Sequence, residues 1–159
     1  MVKAVELSDK LLRATINKDE STVAEIIGEA HQANTSPKFY NNEQALRSVV
    51  IMAYLSSVDD YIRFEELASG KGYIDLLFLP ALQSSKPALI IELKWNKSAE
   101  KAVQQEQDQQ YWKFAKQFRY KGKILLVGIN YNSKTKKHTC KIKEIESLEK
   151  KIRANRYKK

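Results

Sequence analysis

The sequence predicts an α/β domain with a mixed central sheet of about five strands, flanked by helices and preceded by N-terminal helices. Three observations predict this fold class. Apolar side chains recur at helical spacing through the first sixty residues. Short runs rich in Ile, Leu and Val, bounded by Gly and Pro, follow between residues 61 and 145. Residues 96–118 predict one long polar-faced helix between two of these runs, and such a helix is typical of a crossover between parallel strands.

Helical periodicity predicts the N-terminal elements. Residues 5–16 and 20–30 each have an apolar stripe, and residues 31–40, which contain Ser36-Pro37, predict a loop. Asn41-Asn42 can cap a third helix over residues 43–57. That helix is apolar nearly all round, which indicates a position deep against the sheet.

Alternation and turn residues predict the strands and the domain organisation. The predicted strands are residues 61–67, 73–79, 88–94, 123–131 and 137–145. Gly70-Lys71-Gly72 predicts a turn that joins the first two as an antiparallel hairpin. We therefore expect an N-terminal helical segment over residues 1–40 packed on a core over residues 41–146. A basic C-terminal helix or tail follows at residues 147–159.

Composition and charge limit the function classes. No apolar stretch approaches the ~20 residues of a membrane helix, and the N-terminus lacks a signal-peptide pattern, so we expect a cytoplasmic protein with no membrane partner. Cys140 is the only cysteine, which excludes an intrachain disulfide and a Cys-rich zinc site. The net charge of +9 is typical of a protein that binds nucleic acid, although a solvated basic surface explains it equally well.

Charged side chains at the ends of two apolar runs are the main chemical signal. Glu92-Leu93-Lys94 ends one run, and Asp75 lies in the run before it. Residues i and i+2 of a strand share a face, so Glu92 and Lys94 point the same way. Buried charges are costly unless they are paired or bind a metal. The spacing alone favours a structural ion pair over a divalent-metal site.

Longer motifs favour the metal site. Gly72-x-x-Asp75, followed by Ile90-Ile91-Glu92-x-Lys94, resembles the active-site signature of the PD-(D/E)XK nuclease superfamily. Residues 66–75, 87–98 and 128–136 are similar to the bacterial member of that superfamily that commonly follows an AAA-ATPase-like domain in one polypeptide. The resemblance covers residues 5–146 and implies a restriction-endonuclease-like core.

The resemblance implies a metal-dependent nuclease that hydrolyses phosphodiester bonds of nucleic acid, with DNA as the expected substrate and Mg²⁺ (or Mn²⁺ in its place) as the cofactor. Asp75 and Glu92 match the metal-binding carboxylates, the backbone carbonyl of Leu93 can add a ligand, and Lys94 matches the catalytic lysine that holds the attacking water. Glu43 matches an acidic residue that can contact the metal through water. A carboxylate favoured by the helix dipole explains Glu43 equally well.

Two neighbouring glutamates are secondary acidic candidates. Glu66 matches an acidic position before the glycine turn of the family. Glu65 is the other candidate, because a hairpin that pairs Glu65 with Asp75 is compatible with the sequence.

The segment after the motif supplies candidate nucleic-acid contacts. Gln105 and Tyr111 match a Gln…Tyr pattern of the family, whereas Gln107 and Tyr111 have the i, i+4 spacing of the Gln-x-x-x-Tyr element of related nucleases. Both assignments of the glutamine stay open. Phe114 and Phe118 follow Tyr111 at helical spacing, which favours a core role for the tyrosine.

A second function is compatible with the same residues. It is a nucleic-acid-binding or regulatory module that keeps the nuclease fold with little or no turnover. An AAA-ATPase-like domain or protein is the partner that the resemblance implies. The edge strand at residues 137–145 could also pair with a second copy to form a homodimer.

Overall fold

The computed structural model describes residues 2–34, 40–145 and 156–157. The helices are α1 (Val2–Ile16), α2 (Glu20–Asn34), α3 (Glu43–Ala53), α4 (Ala99–Asp108) and α5 (Phe114–Gln117), and 3-10 turns span Leu55–Asp59 and Tyr111–Lys113. The strands are β1 (Tyr61–Ser69), β2 (Gly72–Pro80), β3 (Ala88–Trp95), β4 (Ile124–Asn132) and β5 (Lys137–Ile145). This element order confirms the predicted three helices, three strands, a crossover helix and two further strands.

The five strands form one mixed sheet in the order β1-β2-β3-β4-β5. The β1–β2, β2–β3 and β4–β5 pairs are antiparallel, and β3 pairs with β4 in parallel. The parallel pair needs a crossover connection, which α4 and the turns after it provide. The predicted hairpin and the predicted crossover are therefore both confirmed.

Both faces of the sheet are covered by apolar side chains. The first face packs against α1, α2 and α3, and its buried strand residues include Leu89, Ile91 and Val127. The second face packs against α4 and the turns after it, through residues such as Ile90, Leu126 and Phe114. Successive strand residues point to opposite faces, so β3 alternates between the two cores.

Gly128 sets the distance between the crossover helix and the sheet. A Cβ atom at this position would lie 2.3 Å from the backbone oxygen of Ala99 and 2.8 Å from Cβ of Ala102. Only glycine therefore allows α4 to rest directly on β4. This contact fixes the height of α4 above the end of β3.

Several predicted boundaries are wrong. The third helix ends at Ala53 instead of residue 57, and Met52 is 53% exposed, so α3 is buried on one face and not all round. Helix α2 continues to Asn34, into the predicted loop. Residues 35–39 of that loop lie outside the described residues, as does the predicted C-terminal helix or tail except residues 156–157.

The exposed edge of β5 is partly covered by α2. The backbone N–H of Ile142 donates to Oε2 of Glu20 over 2.6 Å, and Lys141 lies 3.9 Å from the same carboxylate. Glu20 thus occupies a backbone donor that an added strand would need. Within the described residues, no helix combines the length and the apolar character needed to span a membrane.

Candidate active site

The site begins where β2 and β3 separate. Their ladder pairs Leu76 with Ile91 and continues away from the site, so Asp75 and Glu92 are the first positions beyond it. There Oδ2 of Asp75 accepts a hydrogen bond of 2.9 Å from the backbone N–H of Leu93. The N–H and C=O groups of one strand residue point to the same side, so the carbonyl of Leu93 faces the same gap.

Glu92 is buried beside this gap. The residue is 3% exposed, and its Oε1 accepts a 2.6 Å hydrogen bond from Nε2 of Gln105. Its Oε2 is buried with no hydrogen-bond partner among the described residues. Burial first, and then the charge of Asp75, raises the pKa of Glu92 to about 8, although Lys94 acts in the opposite direction.

Lys94 lies on the same face as Glu92, as the strand period predicts. Its Nζ is 3.7 Å from Oε1 of Glu92 and donates to Oε1 of Gln105. Because Nε2 of Gln105 also donates to the hydroxyl of Tyr111 over 3.1 Å, the amide links three side chains, those of Glu92, Lys94 and Tyr111. This network fixes the position of the lysine ammonium group beside the two carboxylates.

The single long helix predicted over residues 96–118 is wrong. Helix α4 ends at Asp108, and Gln110 has a left-handed backbone with φ of 56°. The reason is the hairpin turn: the backbone N–H of Lys71 donates to the carbonyl of Gln109 over 2.8 Å, and a Cβ on Gly70 would lie 2.2 Å from that oxygen. Docking of the turn replaces the helical hydrogen bonds here.

The end of α4 at Asp108 determines which glutamine contacts Glu92. Gln105 lies within α4 and contacts Glu92 directly, whereas Gln107 has no side-chain hydrogen bond to that residue among the described positions. Gln107 and Tyr111 do not share a helix face, because the helix ends between them. Tyr111 is 2% exposed in the second core cluster, so its ring is not available to stack on a base and its hydroxyl supports Gln105.

The two secondary acids have different environments. Glu66 is opposite Asp75 in the hairpin register and has a left-handed backbone with φ of 51°. Glu65 pairs with Leu76 instead, and its carboxylate lies 3.8 Å from Arg63. The Glu65–Asp75 pairing considered from the sequence is therefore wrong, and Glu66 is the acid that faces the site.

Arg47 joins these acids, although no sequence pattern predicted it as a site residue. Its guanidinium lies 3.0 Å from Oε1 of Glu66 and 3.3 Å from Oδ1 of Asp75. The side chain is 12% exposed. A single arginine within the otherwise apolar third helix, four residues after Glu43, was the signal that could have identified it.

Glu43 opens α3 and is exposed. Its charge is the smallest of the contributions that raise the pKa of Glu92, so the two carboxylates interact at a distance. Asn42 caps the helix by accepting from the backbone N–H of Ala45, as predicted. The position is compatible with both interpretations of Glu43, as a helix-terminal acid or as a more distant site residue.

Glu106 is a second residue that the sequence analysis missed. It is 0% exposed, and neither carboxyl oxygen has a hydrogen-bond partner among the described residues. Burial, followed by the charges of Glu92 and Asp75, raises its pKa well above the usual range, with a weak opposing effect of the Val127 backbone. Glu106 follows Ala99, Ala102 and Val103 on the buried face of α4, so helical spacing could have placed it in the core.

Aromatic side chains support the end of β3 from the other face. Trp95, the residue after Lys94, packs against Tyr131 and Tyr40 with ring centroids 4.7 Å and 5.3 Å away. Tyr40 also hydrogen-bonds to Nε2 of His138. This cluster holds the strand end in place from the first face of the sheet.

The oxygen groups at this gap fit a hard divalent cation. The carboxylates of Asp75 and Glu92 interact at this gap, next to the backbone of Leu93. Oε2 of Glu92 is a buried acceptor with no donor among the described residues. In residues 2–34, 40–145 and 156–157, no group of three or more His, Cys, Asp or Glu residues could hold a metal. Mg²⁺ usually takes one or two carboxylates and completes its shell with water, so two suffice.

A comparison with protein families matches residues 41–141 to the PD-(D/E)XK nuclease superfamily. The match covers more than half of the chain and includes every candidate site residue named above. A search of curated proteins finds no match. Members of this superfamily generally use divalent metal ions, in agreement with the oxygen groups at the gap. The mixed sheet, its flanking helices and the matched family model together show that this chain belongs to the PD-(D/E)XK nuclease superfamily.

Proposed function

We propose that this protein is a Mg²⁺-dependent nuclease that hydrolyses phosphodiester bonds of DNA. The observation that carries the proposal is the convergence of Asp75, Glu92 and Lys94 at the open end of β2 and β3. The superfamily supports a nuclease fold and a nucleic-acid substrate. The net charge of +9 supports a polyanionic substrate.

Asp75, Glu92 and the carbonyl of Leu93 are the groups that would hold Mg²⁺, with Mn²⁺ as a substitute. When bound, the cation polarises the scissile phosphate and lowers the pKa of a water molecule. Glu92 must lose its proton to act as a ligand, and its raised pKa makes occupancy of the site pH-dependent.

Lys94 supplies the positive charge of the site. Gln105 holds its ammonium group beside Glu92, so the lysine needs no reorganisation when substrate enters. From there Lys94 donates hydrogen bonds to the attacking water or to a phosphate oxygen. Its charge also offsets the negative charge that develops on the phosphate in the transition state.

The direct test is cleavage of plasmid DNA, single-stranded DNA and RNA in Mg²⁺ by the wild type and by Asp75→Asn. We expect DNA to be cleaved by the wild type, and the variant to be at least about 100-fold slower, because it loses one anionic ligand. The matched control is Asp60→Asn. Asp60 is ion-paired with Lys86 over 2.6 Å, away from the site, so this variant should keep wild-type activity. Equal activity of wild type and Asp75→Asn would point to a contaminant and contradict the proposal.

Two observations favour the alternative of a nucleic-acid-binding module with little turnover. Arg47 is paired with Asp75, and the raised pKa of Glu92 keeps that carboxyl largely protonated near neutral pH. Both reduce the negative charge available to a cation. Titration calorimetry with Mn²⁺ separates the two functions: no Mn²⁺ binding together with salt-sensitive DNA affinity supports the module.

The two glutamines of α4 should differ in their effect on activity. We expect Gln105→Leu to lower the rate of DNA cleavage about 10- to 100-fold, because the variant releases Lys94 and leaves Oε1 of Glu92 without its amide donor. Gln107→Leu is the matched control on the same helix and should be close to wild type. Cleavage rates at saturating DNA measure the difference. A larger loss in Gln107→Leu would contradict the assignment of Gln105.

A further inference from the structure

Arg47 is held between two carboxylates at the edge of the candidate metal site. One of its terminal nitrogens contacts Oε1 of Glu66 and the other contacts Oδ1 of Asp75. The shorter contact, 3.0 Å, is to Glu66, and the 3.3 Å contact to Asp75 is the weaker one. Arg47 is therefore held jointly by an exposed acid of β1 and by a mostly buried acid of the candidate site.

The backbone of Glu66 has an uncommon conformation beside this contact. Its φ of 51° is in the left-handed region, which residues other than glycine and asparagine rarely adopt. The β1–β2 ladder is interrupted there, since Glu65 and Leu67 pair with Leu76 and Ile74 but Glu66 has no ladder partner. The strained position places the carboxylate of Glu66 within reach of Arg47, opposite Asp75.

Arg47 has unused hydrogen-bonding capacity. A guanidinium has five N–H donors, and the contacts to Glu66 and Asp75 use one on each terminal nitrogen. The Nε atom is buried, so only the terminal nitrogens can meet a phosphate. The side chain of Glu66 is 68% exposed, so the outer side of the pair faces solvent. The planar guanidinium suits two phosphate oxygens at once. The nitrogen that contacts Asp75 is the one that cation binding would leave for a phosphate.

A cation at the site and Arg47 compete for Asp75. The oxygen that Arg47 contacts belongs to a proposed metal ligand, and two positive charges so close together repel each other. Cation binding would thus weaken the hold of Asp75 on the guanidinium. The net effect is that two carboxylates balance Arg47 while the site is empty, whereas only the exposed carboxylate of Glu66 does so when the site is filled.

We propose that Arg47 is a metal-controlled phosphate contact. In the metal-free protein Asp75 occupies Nη2 of Arg47, and cation binding at Asp75 frees this nitrogen for a phosphate of the bound nucleic acid, while Nη1 stays on Glu66. The proposal rests on the proposed function, since it takes Asp75 as a metal ligand. It predicts that metal and nucleic acid bind cooperatively, and that part of this cooperativity depends on Arg47.

The test compares wild type, Arg47→Met and Arg63→Met in binding to a short fluorescent DNA oligonucleotide by anisotropy, with EDTA or with Ca²⁺ at equal ionic strength. Ca²⁺ takes the same oxygen ligands, and a gel verifies that the DNA stays intact. Arg63 is the matched control, because it also neighbours a glutamate of β1, over 3.8 Å, but is remote from Asp75 in the hairpin register.

We expect the wild type to bind the oligonucleotide more tightly in Ca²⁺ than in EDTA. Arg47→Met should match the wild type in EDTA and lose about 10-fold of the gain in Ca²⁺, the effect of a charge-assisted contact. Arg63→Met should show the full gain. Equal weakening of Arg47→Met in EDTA and in Ca²⁺, or an undiminished gain, would overturn the proposal.

Mn²⁺ calorimetry without nucleic acid gives a second readout. Arg47→Met should bind Mn²⁺ several-fold more tightly than the wild type, because a competing cation is gone. Weaker binding by a variant with wild-type circular dichroism would mean that Arg47 positions Asp75, and would overturn the proposal. If the wild type itself bound neither Mn²⁺ nor DNA, the proposed function would fail as well. If Arg47→Met keeps the full gain in DNA affinity in Ca²⁺, only the role of Arg47 is contradicted and the proposed function stands.

Discussion

Lys94→Met should reduce DNA cleavage by about 100- to 10,000-fold while it leaves Mn²⁺ affinity and DNA affinity within a few-fold of wild type. Methionine keeps the unbranched side chain but removes the ammonium group that lies 3.7 Å from Oε1 of Glu92. The charge acts on the transition state more than on bound substrate, so the loss should be in kcat. Single-turnover cleavage at saturating DNA measures it.

Lys86→Met is the matched control for this variant. Lys86 is also a partly buried lysine bound to a carboxylate, 2.6 Å from Oδ2 of Asp60, and it lies before the opposite end of β3. Its loss should leave cleavage unchanged. A Lys94→Met protein with more than a tenth of wild-type activity would contradict the role assigned to the lysine.

Glu106 should make the protein less stable as the pH rises. Burial raises the pKa of Glu106 above its ordinary value of 4.5, so the folded protein keeps a proton that the unfolded chain releases. The stabilisation from this group is complete below pH 4.5 and decreases as the pH rises toward the folded pKa. We expect the free energy of unfolding of metal-free protein to fall by about 2 kcal/mol or more between pH 4.5 and pH 8, as measured by urea denaturation.

Glu106→Gln should flatten that pH dependence, because the amide has the same shape and does not ionise. Part of the slope will persist, since the raised pKa of Glu92 acts in the same direction. The control is Glu100→Gln, an exposed acid on the same helix, which should leave the slope unchanged. A Glu106→Gln protein with the full wild-type slope would mean that Glu106 is already ionised in the folded state.

Local patterns sufficed for the strands and their pairing. The sequence patterns predicted every strand to within two residues of its observed ends. For β5, at residues 137–145, alternation of polar and apolar residues predicted both ends correctly. The parallel pairing of β3 with β4 followed from the segment between them. These features depend on periodicity and connection length, which are properties of neighbouring residues.

The helix break at Asp108 could not be predicted from local patterns. Residues 99–117 have helical spacing throughout, and no Gly or Pro marks the break. The cause is a contact from a distant part of the chain, the hydrogen bond from Lys71 to the carbonyl of Gln109. Tertiary contacts of this kind override helix propensity.

Local sequence patterns predicted some residues of the candidate site and not others. Asp75, Glu92 and Lys94 were identified from the motif and from strand geometry, and they do lie together. Arg47 and Glu106 were missed because their significance comes from what surrounds them after folding. Arg47 is the only basic residue of α3, and Glu106 is an acid on the buried face of α4. Both could be seen in the sequence, but the residues that contact or surround them are distant along the chain.

A crystal of the protein soaked in Mn²⁺ shows directly whether Asp75 and Glu92 bind a metal. We expect an anomalous density peak between the two carboxylates that is absent from a crystal of Asp75→Asn. A crystal of the wild type with both carboxylates ordered, the carboxyl of Asp75 still on Arg47, and no anomalous density at saturating Mn²⁺ would contradict the proposed metal site.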